Sequence, residues 1–176
     1  MSHPEDPVRR EALEHLDGLY TLARWLARDA REAEDLVQET FLRALRFAHQ
    51  FTPGTNLRAW MFQILRNLHL TARKRRGRDQ ALFGVAAGGA EGGSGSRPEP
   101  PDLPAPVRAE AGAALDLDAA LQRLPEEFRT TVLLADLLGC SMAEVALIQG
   151  CPVGTVKSRL SRARGMLREM LRDYRP

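Results

Sequence analysis

Cysteines, aromatic residues and long apolar runs are scarce in this sequence. It has 2 cysteines among 176 residues, which is too few for a disulfide framework and fits a protein kept in a reducing cytoplasm. Cys140 and Cys151 have no histidine or further cysteine nearby, which argues against a zinc site. No apolar run approaches the ~18 residues of a membrane span, and the N-terminal segment MSHPEDPVRR lacks the apolar core of a secretory signal. We therefore expect a cytoplasmic protein with no membrane span and no bound metal.

The sequence also lacks the motifs of catalysis. It has no cluster of carboxylates with metal-ligand spacing, no glycine-rich phosphate loop and no nucleophile paired with a base. These absences weigh against an enzyme, and we expect no cofactor and no small-molecule substrate. Because strand patterns are absent as well, the predicted fold class is all-α.

Helical patterns fill two segments that are separated by a stretch of different composition. Residues 8–76 are predicted to be helical, interrupted by the Pro-Gly turn at Phe51–Asn56, and helical periodicity returns at about 115–174. The stretch from Gly84 to Gly112 holds half of the 14 glycines, nearly half of the 11 prolines and, toward its C-terminal end, an excess of acidic residues. Such a composition cannot bury enough apolar surface to fold by itself. The prediction is two small helical domains, residues 1–76 and 115–176, joined by a flexible acidic linker over residues 77–114.

Positive charge is concentrated in two zones, although the net charge is only +2. One zone runs from Arg58 to Arg78 without an acidic residue, and the other runs from Lys157 to Arg175 with few acidic residues. Two separate basic zones favour two contacts with a polyanion such as nucleic acid. Either zone alone is equally compatible with a solvated helix face.

A helix-turn-helix pattern leads into the second basic zone. Ser141 and Glu144 have the spacing of a capping box, and the short apolar helix that they begin ends at Gly150. A longer helix follows the Cys151-Pro152 turn. The order of short helix, glycine-containing turn and basic helix is typical of DNA-binding helix-turn-helix units.

The basic helix of this unit is amphipathic. Its inner face carries the apolar residues Val153, Val156, Leu160, Ala163 and Leu167. Its outer face combines small residues with long donors, namely Gly154, Lys157, Ser158, Ser161, Arg162 and Gly165. Small residues permit close approach to a groove, lysine and arginine reach guanine edges, and Arg159 and Arg164 lie on the flanks, where phosphates would be. A solvated helix usually mixes acids with its bases, and no acid appears here before Glu169, so the pattern favours DNA reading.

The helix AREAEDLVQETFLRALRFA carries one leucine on a face that is otherwise polar. Its inner face is predicted to consist of Ala33, Leu36, Val37, Thr40, Phe41 and Ala44. Its outer face holds Asp35, Gln38, Glu39, Leu42 and Arg46. A single exposed leucine needs no special explanation, and a protein-docking surface is the equally compatible alternative.

The following helix, NLRAWMFQILRNLHLTARKRR, combines basic with aromatic residues. Its apolar side is predicted to hold Trp60, Met61, Ile64, Leu65, Leu68 and Ala72. Its other side is predicted to hold Phe62, Arg66, His69 and Arg73. An exposed aromatic ring between bases suits single-stranded DNA, whose bases stack and whose phosphates need neutralising. Trp60 is expected in the core rather than on a stacking surface, and His69 is expected on the surface.

Together these segments resemble a family of bacterial transcription proteins. The segments are AEDLVQETFLRAL, GTNLRAWMFQILRN, and LPEEFR followed by GCPVGTVKSRLSRAR. In this order and spacing they resemble the extracytoplasmic-function sigma factors, and among these the oxidative- and envelope-stress members. The resemblance covers about residues 16–76 and 116–172, which would be sigma regions 2 and 4. It implies three partners: core RNA polymerase, promoter DNA and an inhibitory anti-sigma factor.

The resemblance also implies roles for individual residues. Core RNA polymerase would be bound by Asp35, Gln38, Glu39 and Leu42. The −10 element would be held and melted by Trp60, Phe62, Arg66, Asn67, Arg73, Lys74 and Arg75. The family pattern implies a break in the helix near Asn67, in a loop that captures a flipped base. The −35 element would be read as duplex by Gly154, Thr155, Lys157, Ser158, Arg159, Ser161, Arg162 and Arg164.

One departure and one alternative accompany this interpretation. Many members of the family carry an aromatic residue where Ser161 stands, so their base preference does not transfer to this sequence. The alternative is a stand-alone helix-turn-helix regulator that binds duplex DNA without polymerase. The sequence lacks the dimerisation helix or ligand domain that such a regulator usually needs for palindromic sites.

Overall fold

The structure is a computed structural model that describes the backbone of residues 7–27, 29–84 and 111–172. Side chains are described for residues 8–27, 29–78 and 117–172. Within these ranges the regular elements are all helical, which confirms the predicted all-α fold class. None of the helices described there is both long and apolar enough to cross a membrane.

The chain divides into two compact units, Met1–Glu99 and Pro100–Pro176. The described helices of the first unit are α1 (Pro7–Glu11), α2 (Leu16–Leu26), α3 (Ala30–Arg46) and α4 (Leu57–Gly84), with 3₁₀ turns at Ala12–His15 and Ala48–Gln50. Those of the second unit are α5 (Ala111–Arg123), α6 (Glu126–Val132), α7 (Met142–Gln149) and α8 (Val153–Met170), with a π-helical turn at Leu133–Leu137 between α6 and α7.

The helices extend into both ends of the predicted linker. α4 continues through residues 77–84, and α5 begins at Ala111 rather than at residue 115. A helix that is already nucleated gains one hydrogen bond for each residue it adds, so a long helix propagates into neighbouring residues that tolerate helical geometry. Residues 85–110 lie outside the described residues, and the flexible linker there stays a prediction.

α4 packs against both α2 and α3 in the first unit. Leu19 and Leu22 of α2 and Met61, Phe62 and Leu65 of α4 are fully buried. Burial of such a side chain stabilises the folded state by about 1.5–3 kcal/mol. This core holds α4 so that its basic C-terminal half continues beyond the packed part of the helix.

Side chains of residues just before α3 and α4 cap these helices. Asp29 Oδ1 accepts from the backbone N–H of Glu32 at 2.8 Å, and Asn56 Oδ1 accepts from that of Ala59 at 2.8 Å. Each bond satisfies an N–H group that the first turn of a helix leaves without a partner. The predicted Pro-Gly turn precedes α4, and Gly54 has a φ of 85°, a conformation that favours glycine.

α4 does not break near Asn67. The helix runs without interruption from Leu57 to Gly84, and Thr71 Oγ1 donates to the backbone oxygen of Asn67 at 2.8 Å. The loop that the family pattern implied at this position is therefore wrong for this structure. No glycine or proline stands between Leu57 and Arg76, so nothing in the segment interrupts the helical hydrogen bonds.

The predicted helix-turn-helix is formed by α7 and α8. Ser141 Oγ accepts from the N–H of Glu144 at 3.2 Å, and Glu144 Oε2 accepts from the N–H of Ser141 at 2.7 Å, which is the predicted capping box. α7 ends at Gly150, whose φ of 63° is left-handed. After this turn, α8 begins at Val153.

The core of the second unit lies between α6, α7 and α8. Leu133 and Leu134 of the π turn, Val145 and Ile148 of α7, and Val156 of α8 are buried. Both α6 and α7 pack against α8. The inner face of α8 is therefore covered from two sides, and this fixes which residues of α8 face solvent.

The capping box predicts how Ser141→Ala affects local stability. Loss of the Ser141 acceptor leaves the Glu144 N–H without its partner, and such a change costs about 1 kcal/mol. Amide hydrogen exchange within α7 should accelerate by roughly a factor of 5. Ser161→Ala is the matched control, because Ser161 is exposed within α8 and has no capping role. Equal exchange in α7 of wild type and Ser141→Ala would show that the cap does not stabilise this helix.

Candidate functional site

The outer face of α8 is as the sequence predicted. Lys157, Ser158, Ser161 and Arg162 are exposed, whereas Val156, Leu160 and Ala163 are buried. The ends of the inner face differ from the prediction, since Val153 is 39% exposed and Leu167 is only half-buried. The apolar stripe covers the middle of the helix, and its ends extend beyond the neighbouring helices.

Small residues make the first turn of α8 accessible. Gly154 is exposed, and a Cβ atom placed on it would meet nothing within 4 Å. No packing constraint therefore requires glycine here, and its effect is to leave space in front of the helix. Thr155 is half-buried, and its backbone oxygen accepts from Ser158 Oγ at 2.9 Å. The Ser158 hydroxyl keeps its acceptor lone pairs for a ligand.

Arg159 is paired with side chains of its own unit, at the edge of the core. Its Nη2 donates to Glu127 Oε2 at 2.5 Å, and its Nη1 donates to Gln149 Oε1 at 3.0 Å. Its side chain is 22% exposed. The sequence placed Arg159 on a flank of α8, where phosphates would be. In this structure its guanidinium is bonded to acceptors of α6 and α7 that a helical wheel does not include, and its contact with DNA stays a prediction.

Arg164 is also paired, but at the surface. Its Nη2 and Nε donate to the two carboxylate oxygens of Asp136 at 2.6 and 3.1 Å. The hydrogen bonds and negative charge of Asp136 raise the pKa of Arg164. A solvent-exposed pair contributes little to stability. Arg164 therefore lies exposed on a flank of α8, and its contact with a phosphate stays a prediction.

The outer face of α3 has the predicted exposed leucine. Leu42 is 63% exposed, and Asp35 and Gln38 beside it are exposed as well. Glu39 is half-buried, and its Oε1 accepts from Arg43 Nε at 2.7 Å. Of the predicted inner face, Ala33, Val37, Thr40 and Ala44 are buried, and Leu36 and Phe41 are half-buried.

Leu45 extends this apolar patch and was absent from the predicted site. It is 39% exposed and follows Leu42 by three residues, so the two side chains are neighbours on the helix surface. The i, i+3 spacing is visible in the sequence and was sufficient to predict it. A pair of leucines offers a partner more apolar surface than the single residue that we expected.

Two residues of α4 do not lie where the helical wheel put them. Phe62 is fully buried and His69 is 6% exposed, although both were predicted on the outer side. The physical reason is that α4 contacts α2 and α3 together, so the buried part of its surface is wider than one apolar stripe. The guanidinium of Arg58 lies 5.5 Å from the centre of the Phe62 ring and covers it further. Phe62 is therefore unable to stack on a base in this structure.

The other predicted residues of α4 remain on or near the surface. Asn67, Arg73, Lys74 and Arg75 are exposed, and Arg66 is half-buried. Trp60 is half-buried and its ring contacts that of Phe51, with 5.4 Å between the centroids. Trp60 thus packs on its own unit with one side, and it is not fully enclosed in the core.

Arg76 is the basic residue that anchors this segment. Its Nη1 is hydrogen-bonded to Glu32 Oε1 at the start of α3. This ion pair ties the basic half of α4 to α3.

No metal site is visible in the part of the chain whose side chains are described. Residues 8–27, 29–78 and 117–172 contain no group of three or more histidine, cysteine, aspartate or glutamate side chains that could hold a metal ion. Cys140 is buried and Cys151 is half-buried, and they do not form a disulfide with each other.

Comparison with known proteins matches each of the two units to a protein family. The family described as Sigma-70 region 2 matches residues 12–79, and the family described as Sigma-70, region 4 matches residues 114–167. The first match covers α2, α3 and most of α4, and the second covers the helix-turn-helix. The two predicted blocks therefore correspond to two sigma regions in the expected order.

Relatives match along nearly the whole chain. The chain is 36% identical over 171 residues to the ECF RNA polymerase sigma factor EcfG of Rhodopseudomonas palustris (strain TIE-1), covering 94% of this chain and 86% of that protein. Its structure is similar to that of the sigma factor RpoE in complex with the anti-sigma factor NepR from Bartonella quintana, with a TM-score of 0.73, 33% identity, and coverage of 95% and 98%. It is also similar to CnrH in complex with the cytosolic domain of CnrY, with a TM-score of 0.60, 25% identity, and coverage of 95% and 86%.

The chain belongs to the extracytoplasmic-function sigma factors of bacterial RNA polymerase. Its two units are sigma region 2 and sigma region 4. The family is not enzymatic, and its members act through polymerase and promoter DNA. A stand-alone helix-turn-helix regulator would not account for the region 2 match, so that alternative is set aside.

The burial of Phe62 predicts a loss of stability rather than a selective loss of DNA melting. Phe62→Ala removes a ring from the core of the first unit, and such changes cost about 3–5 kcal/mol. Urea unfolding followed by tryptophan fluorescence measures this directly, because the 2 tryptophans, Trp25 and Trp60, both lie in that unit. Leu42→Ala, at an exposed position, should change the unfolding free energy by no more than about 0.5 kcal/mol. A Phe62→Ala variant as stable as Leu42→Ala would contradict the burial of the ring.

Proposed function

We propose that this sigma factor divides its contacts among three surfaces. The exposed face of α8 reads the −35 element as duplex, the exposed part of α4 holds the melted −10 element, and the outer face of α3 docks on core RNA polymerase. The observation that carries the proposal is the acid-free outer face of α8, which opens with glycine and continues with lysine, serine and arginine. Core polymerase performs the chemistry.

Recognition of the −35 element depends on the side chains of α8 that are exposed to solvent. Lys157 and Arg162 supply long donors that suit guanine N7 and O6, and Ser158 and Ser161 supply short groups that accept or donate. Gly154 and Thr155 let the start of the helix approach the groove. Arg164 binds a phosphate at the flank of the helix, and this phosphate takes the place of Asp136. Arg159 belongs to a different role, because its guanidinium is already bonded within region 4.

The −10 segment is the basic half of α4. Its candidates are Trp60, Arg66, Asn67, Arg73, Lys74 and Arg75. Basic side chains neutralise the backbone of a melted strand, and a partly exposed aromatic ring offers a surface on which a base can stack. Phe62 is removed from this set because its ring lies in the core.

The polymerase-docking surface is formed by Asp35, Gln38, Glu39 and Leu42. A docking surface combines an apolar anchor with a polar rim, and Leu42 with its three polar neighbours has this composition. Leu45 joins the anchor, since it lies beside Leu42 on the same face.

We further propose that the protein serves a stress regulon under the control of an anti-sigma factor. RpoE from Bartonella quintana, which is 33% identical to this chain, forms a complex with an anti-sigma factor. Exposed apolar and basic surfaces in both units offer such an inhibitor places to bind. The protein would act in the cytoplasm, where its polymerase partner meets the chromosome.

Promoter-dependent transcription tests the −35 assignment. Run-off assays with core polymerase and the wild-type chain should give transcripts from stress promoters. Arg162→Ala should weaken binding of the holoenzyme to the −35 duplex by roughly 5- to 150-fold, since a specific arginine–base contact is worth about 1–3 kcal/mol. Arg123→Ala removes the same charge at an exposed position of α5 and is the control. If both variants weaken binding equally, α8 contributes charge but no specific reading.

Binding to core polymerase tests the docking assignment. Leu42→Ala should weaken the affinity for core polymerase by about tenfold, which corresponds to 1.4 kcal/mol of lost apolar contact. Leu13→Ala is the matched control, because Leu13 is 68% exposed in the same unit but lies outside α3. Fluorescence anisotropy of a labelled chain titrated with core enzyme measures both. Unchanged affinity in Leu42→Ala would exclude Leu42 from the polymerase interface.

A further inference from the structure

A chain of hydrogen bonds connects the recognition helix to the two helices behind it. Arg159 on α8 bonds Glu127 Oε2 on α6 at 2.5 Å and Gln149 Oε1 on α7 at 3.0 Å. Gln149 Nε2 donates to Thr131 Oγ1 at 2.9 Å, and Thr131 Oγ1 donates to the backbone oxygen of Glu127 at 2.6 Å. One side chain of α8 thus contacts both helices on which α8 packs.

This network is buried at Gln149 and Thr131 and reaches solvent at Glu127, whose side chain is 55% exposed. Gln149 is 6% exposed and Thr131 is fully buried, so their polar atoms depend on one another for hydrogen bonds. The planar fork of an arginine can bond two acceptors in different directions, whereas lysine presents a single point charge. Arg159 therefore holds α8 in its position along and around its axis more firmly than apolar packing alone, which permits small rotations.

The rotation of α8 decides which side chains meet DNA. Lys157 and Ser158 immediately precede Arg159, and Ser161 and Arg162 follow it within one turn. A rotation of the helix by one residue, about 100°, would replace this outward set with a different one. A guanidinium fixed to α6 and α7 in the middle of the set keeps the set facing outward.

We propose that Arg159 is a positioning residue for promoter reading, held by Glu127 and Gln149, and that it sets the discrimination of α8 between DNA sequences without touching DNA. The proposal rests on the proposed function of α8. It assigns Glu127 and Gln149, which carry no DNA-facing atoms in the set above, an effect on sequence specificity.

The experiment compares a positioning arginine with a phosphate-binding one. Holoenzyme is reconstituted from the full chain and core polymerase, and the probe is a duplex that wild-type holoenzyme selects from a random library, beside the same duplex with its −35 hexamer scrambled. The variants are Arg159→Ala, Glu127→Ala and the double variant. Affinity is measured for both duplexes over a range of salt concentrations.

A positioning role predicts a specific pattern. Arg159→Ala and Glu127→Ala each reduce the ratio of the two affinities by about tenfold, and the double variant reduces it no further, because both remove the same link. The slope of log affinity against log salt stays as in wild type. A phosphate contact predicts instead that Arg159→Ala lowers the slope by about 0.9, and that Glu127→Ala binds as well as wild type or better, because it frees the guanidinium.

Two milder variants preserve the test if the alanine variants lose the fold of region 4, which circular dichroism reports. Arg159→Lys keeps the charge but replaces the separate Nη1 and Nη2 donors by a single ammonium, which holds Gln149 and Glu127 in a less defined geometry, so positioning predicts reduced discrimination with an unchanged salt slope. Glu127→Gln keeps an acceptor for Arg159, so positioning predicts that it retains most of the discrimination lost in Glu127→Ala.

The outcomes separate this proposal from the function on which it rests. If wild-type holoenzyme selects no −35 sequence, the proposed function of α8 is wrong, and there is no sequence recognition on which Arg159 could act. If wild type selects a sequence but Glu127→Ala matches it, or the salt slope falls in Arg159→Ala, positioning is wrong and the −35 assignment stands. Wild-type discrimination in Arg159→Lys also overturns positioning.

Discussion

The burial of one face of α8 against α6 and α7 is the constraint on which the DNA-facing surface depends. Val156, Leu160 and Ala163 are buried. Burial of Val156 and of Leu160 stabilises the folded state by about 1.5–3 kcal/mol each. Once these positions are inside, the 3.6-residue period leaves Lys157, Ser158, Ser161 and Arg162 outside. The glycine turn at Gly150 sets the direction from which α8 enters this packing. The residues that α8 buries against α6 and α7 thus determine which of its residues are exposed.

Region 2 follows the same logic with a different outcome. α4 is held between α2 and α3, so its buried surface is wide and includes an aromatic ring and a histidine. Its basic half extends beyond this packed part, and the Arg76–Glu32 pair attaches it to α3. α3 also exposes Leu42 and Leu45, which lie further along the helix than Glu32. Packing of α4 against α2 and α3 therefore leaves both a basic segment and an apolar patch exposed within one small unit.

Arginines of the same helix have different environments. Arg162 faces solvent, Arg164 forms an exposed pair with Asp136, and Arg159 bonds the buried Gln149 and the partly exposed Glu127. A net positive zone is therefore not a uniform contact surface. The acceptors that decide these differences are supplied by α6, the π turn and α7, which are separated in sequence from α8.

The sequence by itself determined the helical class, the two helical regions, the capping box, the helix-turn-helix and the outward face of α8. These features depend on local spacing, capping chemistry and a single apolar stripe, all of which are properties of short segments. Only the tertiary structure decided that Phe62 and His69 are buried and that Arg159 bonds Glu127 and Gln149. Each of these depends on a second or third helix: two neighbours widen the buried face of α4, and two others offer acceptors to Arg159. A helical wheel contains one helix, so it cannot include contacts that arise where several helices meet.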